Sequence, residues 1–230
     1  MKTSIQHICH ISQQTISLDG KVVFHLENQV ESNEFLNESY RFLQIDYPKF
    51  FKMDILAKLA FIATELICKS LIIKDINKDE VGIVFGNKSS SLMADLTHQR
   101  SIQDKNAHFP SPAVFVYTLP NIMMGEMCIR HGFSNENTLF ISEEFDAEIL
   151  AKYTNHLLNE RIVEHCMGGW VDAQPGNYEA FLYFVGTGKS AFWGEHTAEN
   201  ILGLKQKSAE EIAENFQKTA FESEPISSEY

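Results

Sequence analysis

Apolar and polar positions alternate weakly from Ile5 to Ile11, and the turn signal Asp19-Gly20 precedes a second extended run, Lys21-Val-Val-Phe-His25. The stretch from Asn28 to Tyr40 is polar and reads as a surface loop. The strongest periodicity runs from Asp54 to Leu71. Ile55, Leu59, Ile62 and Leu66 form one apolar row, with Leu56, Ala60, Ala63 and Ile67 beside it, which predicts a core-facing helix. Asp54 with Lys58, and Glu65 with Lys69, have the i,i+4 spacing of acid-to-base pairs on its outer face.

Val81-Gly-Ile-Val-Phe-Gly86 is a short continuous apolar run, as expected of a strand buried on both faces. Asn87-Lys-Ser-Ser-Ser91 then opens a helix over Leu92 to Ser101. The next helix spans His108 to Arg130, with Ser111-Pro112 as N-cap and first position and Pro120 as an internal kink. Strand Thr138 to Ser142, helix Glu144 to Asn159, and strands Arg161 to Asp172 and Tyr178 to Gly186 follow. A last amphipathic helix runs from Ser208 to Thr219, with Ile212 and Phe216 inward. This order predicts an α/β layered fold.

With 230 residues, 44% of them apolar and 17 of them Phe, the chain can bury a substantial core in one domain, here placed over residues 1–220. Residues 221–230, FESEPISSEY, read as a polar tail. The net charge of -12 argues against nucleic acid or a membrane as partner, since both ask for a basic face. No segment has the length and apolarity of a transmembrane helix, and the N-terminus lacks the hydrophobic region of a signal peptide. The four cysteines have no paired spacing, which fits reduced thiols in a cytoplasmic protein.

Several chemical signals fail on spacing. Gly186-Thr-Gly-Lys-Ser190 ends like a phosphate-binding loop, but Tyr183 stands where its first glycine belongs. His7, Cys9 and His10 lack zinc-site spacing, and strand alternation sends Cys9 and His10 to opposite faces. No metal and no cofactor is expected. Cys128 with His131, and Cys166 with His165, are nominal nucleophile–base pairs that read better as packed core. Met123, Met124 and Met127 likewise read as core, near the kinked helix.

One segment carries a resemblance. The run SPAVFVYTLPNIMMGEMCIRHGFSNENTLFISEEFD, Ser111 to Asp146, places Leu119-Pro-Asn121 and Gly125 on a helix, Arg130-His-Gly132 at a turn and Thr138 to Ser142 on a strand. It resembles the stretch of β-ketoacyl synthases, of the thiolase-like superfamily, that leads into their nucleophilic cysteine. The resemblance extends over about Tyr47 to Asp172 and fades after Gly186. It implies one half of a thiolase-like layered fold, a mixed and mostly parallel sheet flanked by helices. It also puts Glu144, or Glu143 if the register slips by one, where the thiol belongs. A helix N-terminus lowers a thiol's pKa but holds a carboxylate ionised, so Glu144 would be a poor acyl carrier. On the residues alone, Ser142 caps the helix while Glu143, Glu144 and Asp146 complement its dipole.

The family's catalytic histidines belong to a second half to which none of the nine histidines here can be matched. The resemblance therefore implies a non-catalytic accessory protein, like a chain-length factor, of a bacterial fatty-acid-like, polyketide or aryl-polyene/flexirubin-type pathway. Its partner would be a catalytic ketosynthase or a second copy, with an acyl carrier protein as a further candidate that the acidic charge does not favour. Thr138, Leu139, Phe140, Ile141 and Ser142, with the helix from Ser111 to Arg130, form the expected interface. The alternatives are a malonyl-thioester decarboxylase or an acyl-binding module using a remnant pocket near Asn121, Met124 and Glu144. A second apolar face, or a rebuilt C-terminal cover, is expected where the other half would dock.

Overall fold

The computed structural model describes residues 2–71, 76–103, 111–187 and 193–208. Seven strands form one sheet: β1 Thr3–Ser12, β2 Thr15–Leu18, β3 Lys21–His25, β4 Val81–Asn87, β5 Asn137–Ile141, β6 His165–Gln174 and β7 Asn177–Thr187. Their order is β3-β2-β1-β7-β6-β4-β5. The sheet is mixed and flanked by helices, as expected, but its balance is antiparallel. Four of the six pairings are antiparallel, and only β4 with β5 and β4 with β6 are parallel. Turn chemistry explains this. The β2–β3 hairpin turns on Asp19 and Gly20, both at positive φ, and β6–β7 on Pro175-Gly176, whereas only helical crossovers join parallel neighbours.

Among the described residues, seven α-helices flank the sheet: α1 Ser32–Phe42, α2 Ile55–Ser70, α3 Leu92–Gln103, α4 Pro112–Val116, α5 Ile122–His131, α6 Ala147–Asn159 and α7, residues 198–208. Helix α1 replaces the loop predicted from Asn28 to Tyr40. Phe35, Leu36, Ser39 and Tyr40 form its single buried stripe, easily lost in a sequence otherwise polar. Helix α2 is buried on every side from Leu56 to Cys68, so the predicted charged outer face does not exist. Its Lys58 instead donates to Asn33 at 2.5 Å and Asn37 at 3.0 Å on α1. Pro120 breaks rather than kinks the predicted long helix, separating α4 from α5, because its ring has no place inside a continuous helix.

Two cores result. Phe35, Leu59, Phe61, Phe85 and Met124 fill the face under α1, α2 and α5. Ile5, Leu150, Phe181, Tyr183 and Ile201 fill the face under α6 and α7. Helix α7 packs over the α6-side core through Ile201, and the helix predicted from Ser208 to Thr219 lies, beyond Ser208, outside the described residues. Gly188, Lys189 and Ser190 lie outside them too. Leu92, Leu96 and Ile102 on α3 and Phe115, Val116 and Leu119 on α4 and the turn after it are exposed, as are Phe42, Phe51, Ile129, Ile141, Ile162 and Leu202 elsewhere on the surface. Among the described residues, no helix is long and apolar enough to cross a membrane.

Candidate functional site

The parallel strands β4, β5 and β6 end on one side of the sheet, where open α/β folds place their chemistry. After β4 the chain turns on Asn87, fully buried, whose amide donates to the Val171 carbonyl at 2.7 Å and accepts from the Ser90 N–H. Asp172 accepts the Lys88 and Ser89 N–H groups at 3.1 and 2.7 Å and the Ser89 hydroxyl at 3.0 Å. Its carboxylate thus occupies the concave backbone that an external anion would otherwise use. Ser142 N–H donates to the Asn87 carbonyl, and the Ser91 hydroxyl reaches the Thr118 carbonyl at 2.7 Å. These bonds bring the ends of β5 and α4 together.

The connection after β5 differs from its expected form. Helix α6 begins at Ala147, and its cap is Asp146, which accepts the Ile149 N–H at 3.0 Å. Ser142 does not cap it; its hydroxyl donates to the Glu144 carbonyl. Glu143 and Glu144 are both exposed, before the cap and outside the first turn, where the helix field acts most. The next residue fills the space: the Phe145 ring meets Trp170 and Phe181 edge-on, each at 6.1 Å. Lys205 of α7 lies 5.6 Å above that ring and binds both Glu179 oxygens at 2.6 and 2.7 Å. Burial pushes the Glu179 carboxyl up, but bonds from His10 and Lys205 outweigh it and hold it below its usual range.

Asn121 is exposed at the start of α5, Met124 is fully buried in the α2-side core, and Glu144 is on the open loop. None of the three lines either of two surface cavities. One, of about 880 Å³, lies between the Gln13-Gln14 turn, residues 25–34 and Gly176. The other, of about 370 Å³, lies at the start of α2, beside α3 and α4. In the second, Asp54 caps α2 by accepting the Ala57 N–H at 3.0 Å. Burial lifts its carboxyl from an ordinary 3.8 to about 6, against those backbone bonds and Lys58.

Because the folded state then holds a proton the unfolded chain has lost, stability falls as pH rises from about 4 to 6. Asp54→Asn keeps the cap without the titration. It should gain about 2–3 kcal/mol on the native sequence between pH ~4 and ~7. Urea titrations across that range test this, and parallel profiles would contradict it.

The thiols offer no nucleophile. Cys9, Cys68 and Cys166 are buried, and burial pushes each thiol up, that of Cys166 to about 12; half-buried Cys128 moves the same way. His165 stacks on Phe184 while Cys166 enters the other core, so they form no pair. His131, stacked on Phe133, is pushed down to about 4 by burial and stays neutral. Cys9 and His10 do point to opposite faces.

Among the described residues, strand β5 is an open edge, paired only with β4. Glu136 and Ser142 bond β4 through their backbones, so Asn137, Leu139 and Ile141 turn their N–H and C=O groups outward. Leu139 packs into one core and Phe140 into the other, Thr138 donates to Glu136 at 2.8 Å, and Ile141 is 54% exposed. Helix α4 buries no residue at all. The sequence reading missed Phe145, Lys205 and the exposed apolar side chains of α3. The run Pro-Ala-Val-Phe-Val from Pro112, which forms α4, belongs to the helix it named as interface.

No family model matches the chain, and no curated protein matches it in sequence. Solved structures do match. The ishigamide ketosynthase/chain length factor aligns with TM-score 0.60 and 15% identity over 84% of this chain and 64% of that one. The type II PKS complex AntDE:AntF, an acyl-carrier protein with its ketosynthase bound to the hexaketide, gives 0.57 and 12% over 80% and 62%. The ketosynthase ApeO in complex with its chain length factor ApeC from Xenorhabdus doucetiae gives 0.56 and 10% over 82% and 80%. The chain thus spans less than two thirds of the first two matches, while in the third it matches a chain of nearly its own length. It carries the fold of ketosynthases and chain length factors, one half of a thiolase-like layered architecture.

Proposed function

We propose that this protein is a non-catalytic, chain-length-factor-like accessory that pairs with a catalytic ketosynthase in a bacterial fatty-acid-like, polyketide or aryl-polyene pathway. The observation that carries the reading is the β5 edge, open among the described residues and followed by the exposed pair Glu143 and Glu144. The resemblance, not the geometry, aligns that pair with the family's thiol. Assembly is the use that fits an uncharged strand with one side unpaired among the described residues and with Ile141 exposed upon it. Catalysis fits poorly, because the four thiols are held protonated and Glu144 faces water rather than a dry pocket. That exposure also weighs against a malonyl-thioester decarboxylase.

Co-purification with a candidate ketosynthase tests the reading. A stable complex is expected, and Ile141→Pro should weaken it at least ~10-fold by removing one outward N–H without touching the β4 bonds. Incubation with malonyl- and acyl-loaded carrier protein should leave the mass of the isolated chain unchanged and release no decarboxylated product. A covalent acyl adduct, or pairing indifferent to Ile141→Pro, would overturn the proposal.

A further inference from the structure

We infer that the β5 edge selects a different chain, one whose pairing strand is flanked by lysine or arginine, and rejects a second copy of its own. The inference rests on the reading of β5 as an assembly edge and adds the rule by which the partner is chosen. The strand itself, Asn137-Thr-Leu-Phe-Ile141, carries no charge, and it lacks the lysine or proline that commonly guards a sheet edge. Nothing on the strand therefore forbids pairing. The charges stand at its two ends: Glu136 before it, and Glu143 and Glu144, both exposed, after it. Lys88, exposed on the turn after β4, and the Lys78–Asp79 pair beside Gly132, Ser134 and Asn135 are the other charges near its ends, and Lys78 and Asp79 offset each other.

Symmetry makes these positions decisive. When two copies of one strand pair antiparallel about a two-fold axis, the C-terminal flank of each lies beside the N-terminal flank of the other. Glu143 and Glu144 of one copy then meet Glu136 of the second, and the contact occurs twice. Parallel pairing is no better, because each acid then lies beside its own counterpart. Like charges across a strand pair destabilise it, and a net charge of -12 on each copy adds repulsion at longer range. A strand with basic flanks reverses every one of these signs. The exposed Ile141 side chain would still be covered, whichever chain does the covering.

Sedimentation velocity of the full chain tests the rule without any synthase. At about 50 µM and ~20 mM salt the wild-type chain should remain monomeric. Glu143→Lys/Glu144→Lys places lysines beside the Glu136 of a second copy. This variant should self-associate at least ~10-fold more tightly than wild type and weaken as salt is raised. Adding Ile141→Pro should return it to monomer, which locates the contact on β5; circular dichroism confirms that each variant is folded. A wild-type dimer that Ile141→Pro dissociates would make the second copy the occupant and overturn the inference. A double-lysine variant that stays monomeric would also overturn it, since charge would then not be the barrier. Neither result bears on whether a ketosynthase binds, so the accessory reading stands or falls by its own co-purification test.

Discussion

Gly169→Ala is expected to yield no folded protein. Gly169 lies in the middle of β6 at φ 146°, outside the range alanine adopts without strain. A Cβ there would stand 2.1 Å from the Phe181 carbonyl oxygen and 2.8 Å from the Leu182 Cα, both on the backbone of β7. No side-chain rotation relieves such a contact; β6 and β7 would have to part. That pairing runs from His165 with Gly186 to Gln174 with Asn177 and joins the parallel strands to the β1–β3 meander. A loss above about 4 kcal/mol is expected, a large share of the ~5–15 kcal/mol that holds a domain folded. Gly168→Ala should be nearly as severe, with its Cβ 2.3 Å from the buried Tyr183 ring. Gly125→Ala is the control. Nothing lies within 4 Å of its Cβ position in α5, so it should be neutral or gain up to about 1 kcal/mol. Soluble yield and circular dichroism decide. A folded Gly169→Ala protein that has lost less than about 2 kcal/mol would refute the account.

The same pair of glycines shows how far the sequence could be read. Gly168-Gly169 punctuate a strand that was expected from its apolar run, but only the partner strand reveals that Phe181 and Tyr183 leave no room for a side chain. Strands and helices with strong local patterns, β4 and α2 above all, were legible because burial on both faces forces an apolar run. Lys58 and Glu65 were misplaced for the converse reason. Periodicity assigns a charge to the outer face and cannot see that Asn33, Asn37 and Arg130 arrive from elsewhere to receive it. The candidate site divides similarly. Its edge strand and the Glu-Glu pair were visible as residues and spacing. The Asp146 cap is a local bond to Ile149, three residues on, but the Phe145 plug and its Lys205 cover depend on contacts across 25 to 60 residues of sequence.

Arg130→Ala should cost about 3–5 kcal/mol, and a paired replacement should recover most of it. Glu65 projects from the buried helix α2 with 4% of its side chain exposed, and Arg130 reaches it from the last turn of α5 through two bonds, at 2.5 and 3.3 Å. The same guanidinium donates to the Asp46 carbonyl at 3.2 Å and stacks 5.0 Å from the Tyr47 ring. Removing it leaves a buried carboxylate whose nearest substitute, His131 at 3.4 Å, is held toward its neutral form chiefly by burial. Arg130→Lys should fall between, since an ammonium keeps the charge but loses the planar fork and the stacking. Glu65→Leu/Arg130→Met removes both charges at once and should return to within about 1–2 kcal/mol of wild type, because an ion pair of this kind is worth little against well-packed apolar groups. A double-variant cycle by urea unfolding reads the coupling directly. Additive losses would mean that the two residues act separately. The pair also bears on function, because α5 ends at Gly132, at φ 76°, and leads within five residues into β5. An α5 released from α2 should loosen the edge strand, so Arg130→Ala should weaken ketosynthase pairing along with stability, while the Leu/Met double variant restores both.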